Sequence, residues 1–350
     1  MYSREFSQAP KQIIQAGKAS FGSYEGVSPK IDIRGMRAPY AGLPLPSFIS
    51  NLRIKSRLNF AFSLEKFIGM ASFIDFKVIG MGELTLWNKE TGKKYVYHTF
   101  MPPRKRFVPT TTNRGICACY LKKRFLKISW GRNHQHHALS FKLKGDSARP
   151  NIEGYVYSPM EDGMHADNLS VCPSPTSSRC SATWISSMLA RGQISINKEG
   201  ADESKGLAMM VLSRAYYKFH STQNFTYGIG NVKGKNVIFH ISSSNLDAAD
   251  SDSYNSNTLI VDGVTTALPP VYMTHPFGIS KQWIIQDTES MVDLTFTPIS
   301  LNKRALNLIA LRANYTSIYG KFDGVLLTKD GEKITLKGFP GILQKGMLRL

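Results

Sequence analysis

The sequence predicts an all-β protein, a barrel or sandwich of short antiparallel strands. Three observations carry this. Between Met291 and Pro340, Val292, Leu294 and Phe296 alternate with Asp293, Thr295 and Thr297, and Ile334 and Leu336 alternate with Lys333, Thr335 and Lys337. A period of two is what a strand with one wet face requires. The cluster Lys329-Asp330-Gly331-Glu332 lies between two such runs, and Asp-Gly tolerates the positive φ of a tight hairpin turn. Strand-like runs then recur at roughly ten-residue spacing, with no pattern of helical length between them.

Taken in order, residues 1–47 form an irregular arm. Glycines and prolines from Gly17 to Pro46 punctuate it too densely for long elements. Its apolar residues, Ile13, Phe21, Ile31, Ile33, Tyr40 and Leu43 among them, predict that it lies against the body. Strands begin near Leu52, where Leu52, Ile54, Leu58, Phe60 and Phe62 sit at mostly even spacing. They continue through Phe67–Phe76 and Val78–Trp87 to a turn at Asn88–Gly92. Further short strands follow around Tyr95–Thr99, Gly115–Tyr120, Phe125–Trp130 and Ala138–Leu143. The polar stretch Asn197–Lys205 reads as a junction, dividing a first β module at 48–200 from a second at 201–350. In the second, Leu207–Arg214, Phe225–Gly230 and Val237–Ser242 are strands, and Asp247–Asn257 is a polar surface loop.

At 350 residues the chain can bury a large core. Four cysteines are few for that length, and the Cys117/Cys119 pair is badly spaced for a mutual disulfide on a strand, so a reducing compartment is expected. The opening Met-Tyr-Ser-Arg-Glu-Phe-Ser-Gln lacks the apolar run of a secretion signal, and a cytoplasmic location is expected. The formal charge is +19, and its distribution is uneven. Residues 1–150 hold 26 Lys and Arg against 8 Asp and Glu, whereas residues 151–350 hold 18 against 17. A field of one sign attracts polyanions or an anionic membrane surface, or it serves only to solvate the protein. Its densest segments are Arg104, Lys105 and Arg106 beside Phe107, and Lys122, Lys123 and Arg124 beside Tyr120 and Phe125. Cations interleaved with aromatics suit nucleic acid or the head-group level of a membrane.

Common catalytic signatures are absent from the sequence. It has no Gly-x-Ser-x-Gly elbow, no phosphate loop, and no Gly-x-Gly-x-x-Gly opening a helix. His134, His136 and His137 with Cys117 and Cys119 fit no zinc spacing, so no metal is expected. Trp130, Trp184 and Trp283 are candidate cavity walls, the alternative being core side chains whose N–H finds one acceptor. Arg214 lies beside Tyr216, Tyr217, Phe219 and His220. A guanidinium among phenols and an imidazole can orient a polar head group, or it can tie strands together through backbone carbonyls and a carboxylate such as Asp287 or Asp293.

Several motifs in order carry a resemblance. These are Arg53-Ile54-Lys55 leading into an aromatic strand, Phe73-Ile74-Asp75, Trp87-Asn88-Lys89-Glu90-Thr91-Gly92, Asp293-Leu294-Thr295-Phe296-Thr297-Pro298, and Ile318-Tyr319-Gly320-Lys321-Phe322-Asp323-Gly324. From about Leu52 onward the chain resembles a bacterial family of unknown function, domain of unknown function 2804. The resemblance implies two lipocalin-like antiparallel β-barrel or sandwich modules, distantly similar to the carotenoid hydratase, tocopherol cyclase and decalin-forming cyclase group, whose members handle large apolar molecules. Where comparable members carry Asp-Trp-Gly-Arg-Gly, this chain has Val211-Leu212-Ser213-Arg214-Ala215, keeping only the arginine.

The expected function is therefore binding of a large apolar, lipid or isoprenoid-like molecule in a β-barrel cavity. Arg214, Tyr216, Tyr217, His220, Trp184 and Trp283 would line it, and the basic segments would meet an anionic membrane. No cofactor is expected. Two alternatives are polyanion binding through the basic half, and cofactor-independent cyclase, hydratase or isomerase chemistry by proton transfer.

Overall fold

A computed structural model of the chain describes residues 2–40, 45–104, 107–131, 136–159, 164–199, 202–308 and 311–349. Strands dominate it, and the single α-helix among the described residues is the short Ser47–Leu52. Two antiparallel sheets form two barrel-like modules, the first nearly closed and the second a half-barrel. Along the first, neighbouring strands run Lys94–Met101, Gly80–Asn88, Phe67–Asp75, Ile54–Leu64, Ser204–Tyr216, Cys180–Ile196, Ile152–Tyr157, His136–Leu143, Arg124–Gly131 and Arg114–Leu121. Along the second they run Val264–Ala267, Thr258–Val261, Lys235–Ser244, His220–Val232, Lys333–Arg349, Leu311–Leu327, Val292–Leu308, Trp283–Gln286 and Tyr272–Thr274. No helix among the described residues is long and apolar enough to cross a membrane.

The hairpin expected after Leu327 is present. Gly331 N donates to Thr328 O at 2.9 Å, and Gly331 has φ +80°. Val292, Leu294 and Phe296 are buried, as are Ile334 and Leu336, while Asp293, Thr297, Lys333, Thr335 and Lys337 are exposed.

The module boundary differs from the one expected at 200/201. Ser204–Tyr216 pairs along its length with Cys180–Ile196 and with Ile54–Leu64, so it belongs to the first sheet, and the chain crosses to the second between Tyr216 and His220. Within the polar stretch that suggested a junction, Asn197 and Lys198 are both at positive φ, and Ser204 and Lys205 already belong to the strand that pairs back on Cys180–Ile196.

Each module is filled by its own side chains. Phe60, Phe62, Phe73, Trp130 and Trp184 pack in the first core, and Phe239, Trp283, Phe296, Phe322 and Phe339 in the second. The rings press so closely on neighbouring strands that glycine is required beneath them. A Cβ on Gly115 would lie 2.0 Å from the Trp130 indole, and one on Gly341 would lie 2.2 Å from the Phe322 ring. The N-terminal segment adds to the first core, with Ile13, Ile31 and Ile33 buried and Gly22–Glu25 pairing with Ala166–Pro173.

A third apolar cluster joins the modules. Ala61, Met70, Trp87, Met209 and Val211 of the first sheet pack against Tyr227, Ile238, Tyr319 and Ile342 of the second. Glu83 is buried at this junction, accepting from Arg304 Nε at 3.2 Å and from Tyr315 OH at 3.0 Å. Burial raises its carboxyl pKa, opposed by Arg304.

We expect Gly115→Ala to cost roughly 1–3 kcal/mol by displacing the Trp130 ring. Gly131→Ala, on a strand where a Cβ meets nothing within 4 Å, should be nearly neutral. Thermal unfolding of the two variants against the parent checks this, and equal melting temperatures would mean the rings have room to spare.

Candidate functional site

The barrel interiors expected to hold a guest are occupied by aromatic rings, and the most chemically varied cavity lies instead between the modules. Side chains alternate along a strand, so Leu58 and Phe60 enter the first core while Arg57 and Asn59 face the second module. Opposite them, Gln223, Phe225 and Tyr227 come from the strand His220–Val232, and His240 from Lys235–Ser244. The cavity at this polar centre has a volume of about 100 Å³. A larger one of about 420 Å³ adjoins it, sharing Ser181, Thr183, Ser242, Ser244, Asp247 and Ser256 as walls.

At the inner end Asn59 Nδ2 donates to Tyr227 OH at 2.7 Å. The Tyr227 ring stacks on His240 at 5.2 Å between centroids, with planes 22° apart. Arg57 lies over the Phe225 ring at 4.9 Å, and Tyr217 OH donates to Gln223 Oε1 at 3.1 Å. Burial pushes the Tyr227 phenol up to about 12, with the Asn59 hydrogen bond and Arg57 opposing. Burial pushes His240 down to about 4, opposed by a backbone hydrogen bond with Thr226. At neutral pH the site therefore presents an un-ionised phenol beside an uncharged imidazole.

Three buried atoms here lack a hydrogen-bond partner among the described residues: Asn59 Oδ1, His240 Nδ1 and Arg57 Nε. Leaving a buried polar atom unpaired costs about 1–3 kcal/mol, so their convergence on one cavity marks a place built to receive polar groups. The phenol oxygen already accepts from Asn59, which leaves its own proton to be donated. Such a set can hold an oxygen function and move a proton to or from it. Lys55 lies on the same side of the sheet, but its Nζ is engaged by Leu52 O at 3.0 Å and Phe76 O at 2.6 Å.

Residues 42–349 match the family model described as Domain of unknown function (DUF2804). The chain belongs to this family. Among solved structures, the DUF2804 chain is similar to CghA with Sch210972 at 9% identity and TM-score 0.45, covering 85% of this chain and 89% of that one. It is similar to kievitone hydratase from Nectria haematococca at 9% identity and TM-score 0.40, covering 84% and 87%. Likenesses this distant carry no argument about function. The search of curated proteins found no match.

The site residues expected from the DUF2804 sequence fall in separate places. Arg214 points into the first module, where Nη1 donates to Ser56 Oγ at 2.8 Å and Nη2 to Val108 O at 2.7 Å and Pro109 O at 2.8 Å. The carboxylates acting on it are Asp32 and Asp75, not Asp287 or Asp293, which lie on the second module. Tyr216 donates to Ile33 O at 3.0 Å inside the first core. Trp184 is fully buried there, its indole N–H on Asp167 Oδ1 at 2.9 Å. Trp283 is buried in the second core, bonded to Ile279 O at 3.1 Å. His220 is exposed at a strand end. Of the six, Arg214 and Tyr217 are among the residues lining the cleft, although the Arg214 guanidinium is turned onto Ser56, Val108 and Pro109.

Cys117 and Cys119 are buried, their thiols pushed up by burial. His134, Lys105 and Arg106 lie outside the described residues. Arg104 and Arg124 both stand close enough to Cys119 to act on its thiol, so two of the expected basic residues converge on the strand Arg114–Leu121.

Asn59, Tyr227 and His240 were missed in the sequence, although two of them carried a signal. Asn59 stands between Leu58 and Phe60, and His240 between Phe239 and Ile241, each a polar residue flanked by large apolar ones that are fully buried.

Two outcomes are expected. Arg214→Ala strands two buried carbonyls at about 1–3 kcal/mol each, so the melting temperature should fall by several degrees while the cleft keeps its geometry; an unchanged melting temperature would return Arg214 to the ligand-binding set. Because the folded pKa of His240 is depressed, its contribution to stability is complete above about 6.5 and is lost as pH falls through about 4. The shift corresponds to on the order of 2–3 kcal/mol. Urea unfolding of His240→Gln should show a shallower loss of stability across that window than the parent, with His98, also pushed down to about 4, contributing equally to both.

Proposed function

We propose that this chain binds a small molecule of mixed polarity bearing hydroxyl or carbonyl oxygens, one of them on Tyr227, and that the molecule lies between the two modules, where the larger cavity is walled chiefly by Ser, Thr, Asn and Asp. The observation carrying this reading is the convergence of Asn59 Oδ1, His240 Nδ1 and Arg57 Nε, buried and unpaired, on the cavity next to the Tyr227 phenol. Phe225, Val211 and Tyr217 supply apolar surface around that polar centre. The adjoining volume of about 420 Å³ falls within the ordinary range for small-molecule sites.

A second reading is favoured by the stacked Tyr227–His240 pair. A phenol that can donate a proton and a neutral imidazole that can accept one are the parts of a cofactor-independent proton-transfer enzyme, such as a hydratase, cyclase or isomerase. In that case Tyr227 would polarise the ligand oxygen and His240 would take or return a proton beside it.

Organic extracts of the purified protein, compared by mass spectrometry, test the binding reading. The parent should carry a small molecule that Tyr227→Phe loses by about tenfold, the scale expected for one hydrogen bond withdrawn from a buried oxygen. Because Asn59 Nδ2 also loses its acceptor, the variant should melt a few degrees lower, and retention is compared at a temperature where both proteins are folded. Equal retention in the two proteins, or an extract free of small molecules after incubation with whole-cell lipid, would overturn it.

A further inference from the structure

We propose that one rim of the first barrel is a docking surface for an anionic lipid bilayer, a role that stands apart from the cleft. Strand register assembles this rim. Leu121 pairs with Arg124, Arg124 with Leu143, Leu143 with Ile152, and Ile152 with Ile196, so the turns that follow or precede them lie side by side at one end of the sheet. Those turns carry Lys122, Lys123, Lys144 and Lys198, with Arg124 and Lys142 on the adjoining strands. The carboxylates nearby do not cancel the field. Glu153 is paired with Lys142 at 2.9 Å and Asp146 with Arg149, while Glu199, Asp202 and Glu203 lie in the stretch that holds Lys198, which leaves Lys122, Lys123, Arg124 and Lys144 as the cations of the neighbouring turns.

Between these cations lies a hollow of about 380 Å³ whose accessible apolar lining is Leu121 and Phe125, with Leu143 and Ile152 buried in the core beneath them. Apolar side chains also stand out beside it, with Tyr120 64% exposed and Leu121 51% exposed. Tyr120 packs on Phe125 with ring centroids 5.4 Å apart. A nucleic-acid strand would use the cations and leave the apolar lining uncovered. A bilayer uses both, since lysines meet anionic head groups while aliphatic and phenolic side chains enter the interfacial layer. The strong charge bias of residues 1–150 is thereby concentrated at a place with apolar side chains ready to insert.

Co-sedimentation with phosphatidylcholine vesicles, with and without phosphatidylserine, tests this. The parent should prefer the phosphatidylserine vesicles by about tenfold or more and lose them with added salt. The double variant Lys122→Glu/Lys123→Glu should weaken that binding by about tenfold or more. Leu121→Ser, which removes apolar surface without changing charge, should weaken it while leaving the salt dependence unchanged. Lys329→Glu/Lys333→Glu, the same charge change on exposed positions of the second module, should bind as the parent does. All these positions are exposed, and melting temperatures confirm that each variant is folded. No preference for phosphatidylserine, or equal losses in the rim and control variants, would overturn the proposal. So would a single-stranded RNA that binds the parent and is lost in the rim variants while vesicles are ignored.

Discussion

Burial on both faces of the first-sheet strands that meet the second module governs the rest of this molecule. The strand Ile54–Leu64 sends Leu58, Phe60 and Phe62 into its own barrel and Ala61 toward the second module, so it carries no wet side on which polar groups could rest in water. Every polar side chain on the outward face must find a partner across the junction or remain unpaired at a cost. Glu83 finds Arg304 and Tyr315, and Asn59 finds Tyr227. Among the described residues Trp87 Nε1 is left unpaired within the apolar cluster, whereas Asn59 Oδ1, His240 Nδ1 and Arg57 Nε belong to three residues that wall one small cavity beside Tyr227, and that grouping is what reads as chemistry rather than as a packing fault.

The same constraint explains how the electrostatics are arranged. At the junction Glu83 is paired with Arg304 while Arg57 faces the cavity over the Phe225 ring, and further cations of the first module lie on its rim. Burial keeps His240 uncharged at neutral pH. An un-ionised donor and an uncharged acceptor suit a ligand whose polar part is a neutral oxygen, whereas an anion would meet a guanidinium only through Arg57.

What could be read from the sequence follows from which faces are wet. In Val292–Leu308 and Lys333–Arg349 the alternation of Leu294 with Asp293, and of Leu336 with Lys337, registers the core directly, because one side of those strands meets solvent. The all-β class and the Asp330-Gly331 hairpin were legible on that basis. The boundary at 200/201 was not, since a polar turn between two paired strands has the composition of a linker. Arg214 was placed in a ligand site because its neighbours in sequence are aromatic, yet Tyr216 and Tyr217 point to opposite sides of the sheet, one toward the barrel core and one toward the cleft. The cleft residues are far apart in sequence, Asn59 and Tyr227 being separated by 168 positions, and their strands, Ile54–Leu64 and His220–Val232, belong to different sheets that meet through the packing of the two modules.

The start of the chain has a part in this arrangement. Tyr2 OH donates to Asp252 O at 2.7 Å, and Arg4 Nη2 donates to Asn257 O at 3.1 Å, on the loop that walls the larger cavity. Residues that leave the ribosome early thus have no seat until a segment some 250 positions later has emerged. The chamber between the modules is consequently a late product of biosynthesis, sealed by the beginning of the polypeptide returning to meet its second half.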